Sequence, residues 1–272
     1  MTRSSQPPLV SVIVPTYNQA EFLAACLDSI WFQDWPNLEI VLVNDGSSDG
    51  TTLVLEDFLR DVEKDERSFA SYYDQERDEI RRVHHPRYQR EGRVLRVLTH
   101  EKNQGLAPTL NTGFAACAGK YCTYVPSDDA CFPSMLSEMV AVLEQGADFV
   151  YADMFIVDGG GRILRQFSLP EYSFQACFAD WYLCGVAKLY RRDLHERFGW
   201  YDPNLLAHDH ELFQRFALNG AVFRHIPKAL MSLRDHDRSR EVDLHAPESW
   251  KRLLEESKRL VGEARAFLSR QG

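Results

Sequence analysis

The chain has 272 residues, 44% of them apolar, and carries a formal net charge of −9. This apolar share suffices for a sizeable core, and the acidic balance argues against a broad nucleic-acid surface. None of the six cysteines forms a Cys-x-x-Cys pair, which points to buried reduced thiols, and no apolar run approaches the roughly 18 residues needed to span a bilayer.

The N-terminal MTRSSQPP lacks a hydrophobic signal core, so a cytoplasmic location is expected, with contact at the inner membrane surface left open. Leu9 to Val14 reads as a buried strand stopped by Pro15. Ala20 to Phe32 has helical spacing, with Phe22, Leu23, Cys26, Leu27 and Ile30 on one face. A second strand, Leu38 to Val43, leads into the turn Asn44 to Gly50, and Thr51 opens a helix. Arg60 to Arg93 holds nine acidic and nine basic residues. It reads as an insertion or as a helix extended into solvent, with Tyr72, Tyr73 and Tyr88 as candidate partner contacts.

A third strand follows at Arg93 to Leu98, then a helix at Ala107 to Ala118 and a fourth strand at Tyr121 to Val125. This βαβα order predicts an α/β fold with a mixed, mostly parallel central sheet flanked by helices, whose ligands bind at the C-terminal strand ends. Further on, helices are expected at Met135 to Leu143, Arg192 to Phe198 and Asp209 to Leu218, and strands at Asp148 to Ala152 and Val186 to Tyr190. A hairpin is expected across Asp158 to Arg162, and Ala221 to His225 and Ala229 to Leu233 read as two short strands. Trp250, Leu253, Leu254, Leu260, Val261 and Ala264 mark a terminal amphipathic helix, whose basic residues include Lys251, Arg252, Lys258 and Arg259. Packing on the domain is the expected role, with a membrane or partner surface as the other reading.

Several polar residues fall at the expected strand ends. Asp128 and Asp129 follow the fourth strand, where Pro126-Ser127 breaks it. Adjacent carboxylates repel unless a cation sits beside them, and Mg²⁺ or Mn²⁺ is held by one or two carboxylates plus substrate phosphates. The plainer reading is a turn and helix cap. Tyr17, in Pro15-Thr16-Tyr17, could stack on a nucleobase or merely line the rim. Asp45 could accept from a base N–H or simply serve its Asp-Gly turn. Asn103, before Gly105, could read a base edge or cap the next helix. Asp209 could be an N-cap or a general base. His236, in Arg234-Asp235-His236-Asp237, could be a surface histidine or reach a metal–diphosphate. Gly-x-Gly-x-x-Gly, P-loop and Gly-x-Ser-x-Gly motifs are absent, which weakens dinucleotide-binding, P-loop and α/β-hydrolase readings.

Taken in order, VSVIVPTYNQ, EIVLVNDGSSDGT, NQGLAPTLNTG, YVPSDDACFP, VAKLYRRDLHERFGWYDPNLLAHDHELFQRFA and LRDHDRSR resemble the large family-2 type of inverting glycosyltransferases with the GT-A fold. The resemblance spans roughly residues 9 to 240, apart from the insertion. It implies one catalytic domain over 1–245, with a nucleotide-binding half about 9–130, an insertion about 60–93 and an acceptor half about 131–245. The C-terminal helix then occupies 246–272.

The same resemblance implies roles. Pro15, Tyr17, Asp45, Asn103 and Gly105 would bind the nucleoside. Asp129 would ligate Mn²⁺ or Mg²⁺, Asp128 would face the ribose or the metal's waters, and His236 would help hold the metal or diphosphate. Asp209 would be the base that deprotonates an acceptor hydroxyl, in a single displacement that inverts the anomeric carbon. The donor would be a nucleotide-diphosphate sugar, a UDP-sugar by preference, and the acceptor a carbohydrate or glycolipid, as in polysaccharide biosynthesis. The chain departs from the family pattern at His208, where Glu is frequent, and at Asn44-Asp45, where many members have Asp-Asp. The competing readings are a sugar-phosphate nucleotidyltransferase, which would normally show a Gly-rich basic loop where this chain has PTYNQAEF, and a non-catalytic nucleotide-sugar or carbohydrate-binding module.

Overall fold

The computed structural model describes residues 6–64, 67–86, 88–235 and 247–270. The central sheet begins with β1 (Val10–Thr16), β2 (Leu38–Asn44), β5 (Arg93–Thr99) and β6 (Tyr121–Tyr124), all mutually parallel in the order β5-β2-β1-β6. Strands β1 and β2 are buried at every position, which is why they read as mainly apolar runs rather than as an alternation, with Ser11 and Glu39 buried against each other. Beyond β6 the order continues β10-β8-β11-β7, through β10 (Ala187–Arg191), β8 (Phe149–Val157), β11 (Phe223–Arg234) and β7 (Ala130–Cys131). Here β10 is antiparallel to both neighbours, β11 is parallel to β8, and β9 (Ile163–Phe167) returns from β8 as the expected hairpin.

Two apolar layers cover the sheet. One buries Leu23, Leu27 and Ile30 of α1 (Leu23–Trp31), Leu55 and Phe58 of α2 (Thr51–Glu63), and Met135, Leu136, Met139, Val140 and Leu143 of α4 (Met135–Glu144). The other buries Leu110 and Phe114 of α3 (Leu106–Ala116), Leu194 of α5 (Asp193–Phe198), Leu212, Phe213 and Phe216 of α6 (His208–Leu218), and Ala264 of α7 (Pro247–Leu268). All six cysteines are buried and free. No helix among the described residues is long and apolar enough to cross a membrane.

Four details differ from the sequence reading. Pro15 does not stop β1, which runs on to Thr16 in register with Asn44. Ile13 accepts from Val125 N at 2.9 Å, and the β1–β6 ladder ends at Ile13–Tyr124. Pro15 faces the same side two residues later, where β6 has parted, so its missing N–H disrupts no ladder bond.

The charged segment is helical only as far as Glu63, where α2 ends, and is not a helix extended into solvent. Its backbone forms β3 (Arg67–Asp74) and β4 (Glu79–Pro86), an antiparallel pair separate from the central sheet. Phe69, Tyr72, Tyr73, Ile80 and Val83 supply the β propensity that the charge count conceals. The side chains of Tyr72 and Tyr73 lie outside the described set. Tyr88 is a core anchor instead of a partner contact: it is buried, its hydroxyl donates to Asp28 Oδ1 at 2.8 Å, and its ring meets Trp31 and Phe58 edge-on.

The two short strands expected at 221–233 are one strand, β11, with register shifts between Ile226 and Met231 where Pro227 interrupts the pairing with β8. The terminal helix packs on the domain, but it also acts locally. Glu256 accepts from Leu206 N and Ala207 N at 2.7 and 2.9 Å, and Arg252 pairs with Glu256 at 2.8 Å. Helix α7 therefore holds the lead-in to α6.

Candidate active site

The loops leaving β1 and β2 are tied to each other by their polar residues. Asn18 takes φ +53°, a left-handed conformation that Asn tolerates better than most residues. Its Oδ1 accepts from Ser48 N at 2.8 Å and Asp49 N at 3.3 Å, while its own N–H donates to Ser47 Oγ at 3.0 Å. Gln19 N donates to Thr51 Oγ1 at 3.0 Å. The neighbouring Tyr17 is half-buried at this rim, and Pro15 is buried in the strand below it.

Asp45 is fully buried, and its acceptor oxygens are engaged internally. They take Gln104 N at 3.0 Å, Gly105 N at 2.9 Å and His100 Nδ1 at 2.6 Å. In this geometry Asp45 fastens the Asn103–Gly105 loop to the end of β2. Gly46 makes room for that loop: at φ +69°, a side-chain carbon here would lie 2.6 Å from the Lys102 carbonyl carbon. Asn103 is exposed, and its Oδ1 accepts from Gly105 N at 2.9 Å. The first residue before α3 is Gly105 itself, with no side-chain cap.

Asp128 and Asp129 follow the break after β6 and are both buried. Strand β7 then pairs with Met231 and Ser232 of β11, which brings Arg234 alongside. Arg234 N donates to Asp129 Oδ1 at 2.8 Å. Its guanidinium serves backbone carbonyls instead, reaching Asp128 O at 3.0 Å and Gly159 O at 2.7 Å. Burial and then the adjacent Asp128 push the Asp129 carboxyl well above its ordinary range. The pair lines a cavity of about 260 Å³ with Arg165, Arg234 and Asp235. The N-cap position of α4 is Ser134, which makes no side-chain cap hydrogen bond, so neither aspartate caps that helix.

Asp209 is the second residue of α6, whose N-cap position is Ala207, so its carboxylate does not cap the helix. Instead its Oδ2 accepts from the Tyr124 hydroxyl at the end of β6, while Oδ1 is buried with no hydrogen-bond partner. Asp209 and Tyr124 line a second cavity of about 390 Å³, whose walls include Trp181, Tyr182, Leu106 and Trp250 of α7. Trp181 and Trp250 are 46% and 50% exposed, so both reach its mouth. Asn111 of α3 exchanges two hydrogen bonds with the Tyr201 backbone, at 2.9 and 3.0 Å, and so fixes the segment ahead of α6 against the first half of the fold.

The C-terminal end of the parallel sheet thus carries Tyr17, Asp45, Asn103, Gly105, Asp128 and Asp129, with Asp209 joined to β6 through Tyr124. His236 lies outside the described residues. Among those that are described, no cluster of three or more His, Cys, Asp or Glu side chains could by itself hold a metal. The sequence reading passed over Tyr124, His100, Arg234 and Lys188. Tyr124 and Lys188 sit within apolar runs and look like core and surface residues there; His100 and Arg234 carry no sequence signal beyond following a strand.

The family model for glycosyl transferase family 2 matches residues 11–199. Among curated proteins, the uncharacterized glycosyltransferase EpsJ of Bacillus subtilis is 30% identical over 204 residues, which is 70% of this chain and 50% of that protein. Glycosyltransferase GlyG of Streptococcus pneumoniae is 30% identical over 151 residues, 55% of this chain and 40% of that protein. The chain spans half or less of the length of these two relatives. Among solved structures, S. aureus TarS 1–349 in complex with UDP superposes with a TM-score of 0.66 at 22% identity, covering 94% of this chain and 65% of that one. Mannosyltransferase PcManGT from Pyrobaculum calidifontis, in complex with GDP-Man and Mn²⁺, gives 0.59 at 18% identity, covering 97% and 75%. At such identities the likeness establishes the shared fold.

Proposed function

This chain belongs to glycosyl transferase family 2, and on that premise we propose that it is an inverting, metal-dependent transferase that moves a sugar from a UDP-sugar to an acceptor hydroxyl. The observation that carries this reading is Asp209: a carboxylate pinned through one oxygen by Tyr124, with the other oxygen buried and unpartnered beside a cavity. A general base needs an available lone pair within reach of the proton it takes.

The residues present fit a divalent cation. Asp128 and Asp129 bring two buried carboxylates together, the Arg234 guanidinium is spent on backbone carbonyls, and burial, then repulsion from Asp128, raises the Asp129 carboxyl well above its usual range. Two carboxylates plus donor phosphates make a normal Mg²⁺ or Mn²⁺ site, which needs no third protein ligand. Asp129 would hold the ion, with Asp128 toward its waters or the ribose and His236 as a further candidate ligand. When bound, the ion would neutralise charge on the departing diphosphate.

The residues of this chain do the rest. Asp45 and Gly46 shape the Asn103–Gly105 loop against which the nucleoside sits, and Tyr17 offers a ring at its edge. The acceptor enters the cavity bounded by Trp181 and Trp250. As its oxygen attacks the anomeric carbon, the proton passes to Asp209 and the C–O bond to the diphosphate breaks with its electron pair leaving on phosphate oxygen. The new bond forms on the face opposite the leaving group, so the anomeric centre inverts. A choice of UDP over GDP rests on the UDP-bound TarS neighbour, and the GDP-Man complex of PcManGT keeps guanine as the alternative.

Calorimetry tests the metal assignment. Asp129→Ala should lose Mn²⁺-dependent UDP affinity while melting at or above the parent temperature. Equal UDP affinity in the two proteins would refute the role of Asp129.

A further inference from the structure

Lys188 is a buried charge for which the proposed reaction has no use. It is the second residue of β10 and is 2% exposed. Such a residue is seldom buried without a partner, because desolvation penalises its charged form. Its ammonium donates to Gly185 O at 2.6 Å. Gly185 has no room for a side chain, since an added carbon would meet the Tyr182 hydroxyl at 2.0 Å. The backbone carbonyl therefore stands where the ammonium can reach it.

The same ammonium lies 3.6 Å from the centroid of the Tyr124 ring, and the Tyr124 hydroxyl donates to Asp209 Oδ2. A cation, an aromatic ring and a carboxylate thus stand in series. A desolvated ammonium over a ring face is strongly attracted to it. By withdrawing electron density from the ring, it makes the phenol a better donor to the carboxylate, and buried hydrogen bonds polarise one another in the same sense.

The titratable neighbours of Asp209 come from several elements. Tyr124 belongs to β6, Tyr182 and Cys184 to the segment ahead of β10, Tyr190 and Lys188 to β10 itself, and Tyr201 to the segment ahead of α6. Within α6 it is flanked by His208 and His210. Burial raises the pKa values of Tyr182, Cys184, Tyr190 and Tyr201, which keeps them neutral, and it lowers that of His210 to about 4. Burial also lowers the pKa of Lys188, with Asp209 first and Asp129 second opposing that fall.

We propose that Lys188 is a positioning residue for the base: it holds the Tyr124 ring and, through the Tyr124 hydroxyl, fixes Asp209 Oδ2, so that Oδ1 is kept for the acceptor. This inference rests on the reading of Asp209 as the general base.

Steady-state kinetics on the full chain test it. In Lys188→Met the kcat for donor turnover should fall at least tenfold with donor KM nearly unchanged. A purely structural lysine would lower the melting temperature and leave the kcat of the folded protein in place, and parental kcat in Lys188→Met overturns the proposal. If Lys188→Met does not fold, a reciprocal measurement applies, because coupling between two sites is mutual. The Lys188 Nζ midpoint, followed by ¹⁵N NMR on the ligand-free chain, should fall at least tenfold in proton affinity in Asp209→Asn, and no change there also overturns the proposal. That titration needs no turnover. Full donor turnover by Asp209→Asn would defeat the base assignment, whereas a static Lys188 midpoint defeats the coupling alone.

Discussion

The Tyr124 hydroxyl donates to Asp209 Oδ2, joining the last residue of β6 to the first turn of α6. Residues 85 apart in sequence are thereby fixed at one end of the sheet. Tyr124→Phe removes that bond and keeps the ring under Lys188. A hydrogen bond to a charged group contributes about 1.5–3 kcal/mol, so kcat should fall roughly ten- to hundredfold if the geometry matters in the transition state. Steady-state kinetics should show donor KM nearly unchanged. A variant with parental kcat would mean that Asp209 needs no such support.

Trp250 of α7 is half exposed at the mouth of the cavity beside Asp209. Trp250→Ala should cost little stability. It should raise the KM for an acceptor glycoside several-fold while hydrolysis of the donor alone proceeds at the parental rate. Equal acceptor KM in both proteins would place the acceptor elsewhere.

Gly46 sits at φ +69° against the Lys102–Asn103 backbone. Gly46→Ala forces a backbone shift, at a cost of about 1–3 kcal/mol for a strained non-glycine position. The melting temperature should drop, and nucleotide affinity should weaken as the Asn103–Gly105 loop is displaced. Unchanged values for both would show that the loop yields freely.

His195 and His210 are buried, and burial lowers both pKa values from 6.5 to about 4. Their folded-state values lie below the unfolded ones, so the unfolded chain binds more protons between the two. Stability from these residues is complete above about 6.5 and is lost as pH falls toward 4, on the order of 3 kcal/mol each. Thermal melts from pH 7.5 to 4.5 should show this decline, and His210→Phe, which can pack on Tyr182, should flatten part of it. A variant with the parental slope would remove His210 from the account.

Much of the fold was legible because parallel strands buried on both faces leave mostly apolar runs, as in Val10 to Val14 and Leu38 to Val43, broken only by Ser11 and Glu39. Pro15 misled because its tolerance depends on where β6 parts from β1, which is a property of a neighbour and not of the strand. The charged segment misled because its charge count masked the extended-chain preference of Phe69, Tyr72, Tyr73, Ile80 and Val83. Among the site residues, Asp128, Asp129 and Asp209 stood out as carboxylates at element ends. Lys188 and Tyr124 did not, since no local pattern shows that one will lie over the other's ring. Asp45 was legible as important, but its hydrogen bonds to Gln104 and Gly105 depend on a loop about sixty residues away.

The central claim is that Asp209 is the base of a metal-dependent transfer. Its most direct test is release of nucleoside diphosphate from a panel of UDP-sugars and GDP-mannose, with Mn²⁺ or with chelator, by the parent and by Asp209→Asn. The account predicts release by the parent with a UDP-sugar, loss of release in chelator, and a fall of about 10²- to 10⁴-fold in Asp209→Asn, the usual contribution of a positioned base, with UDP binding retained. Parental release by Asp209→Asn, or release that ignores the chelator, would contradict it.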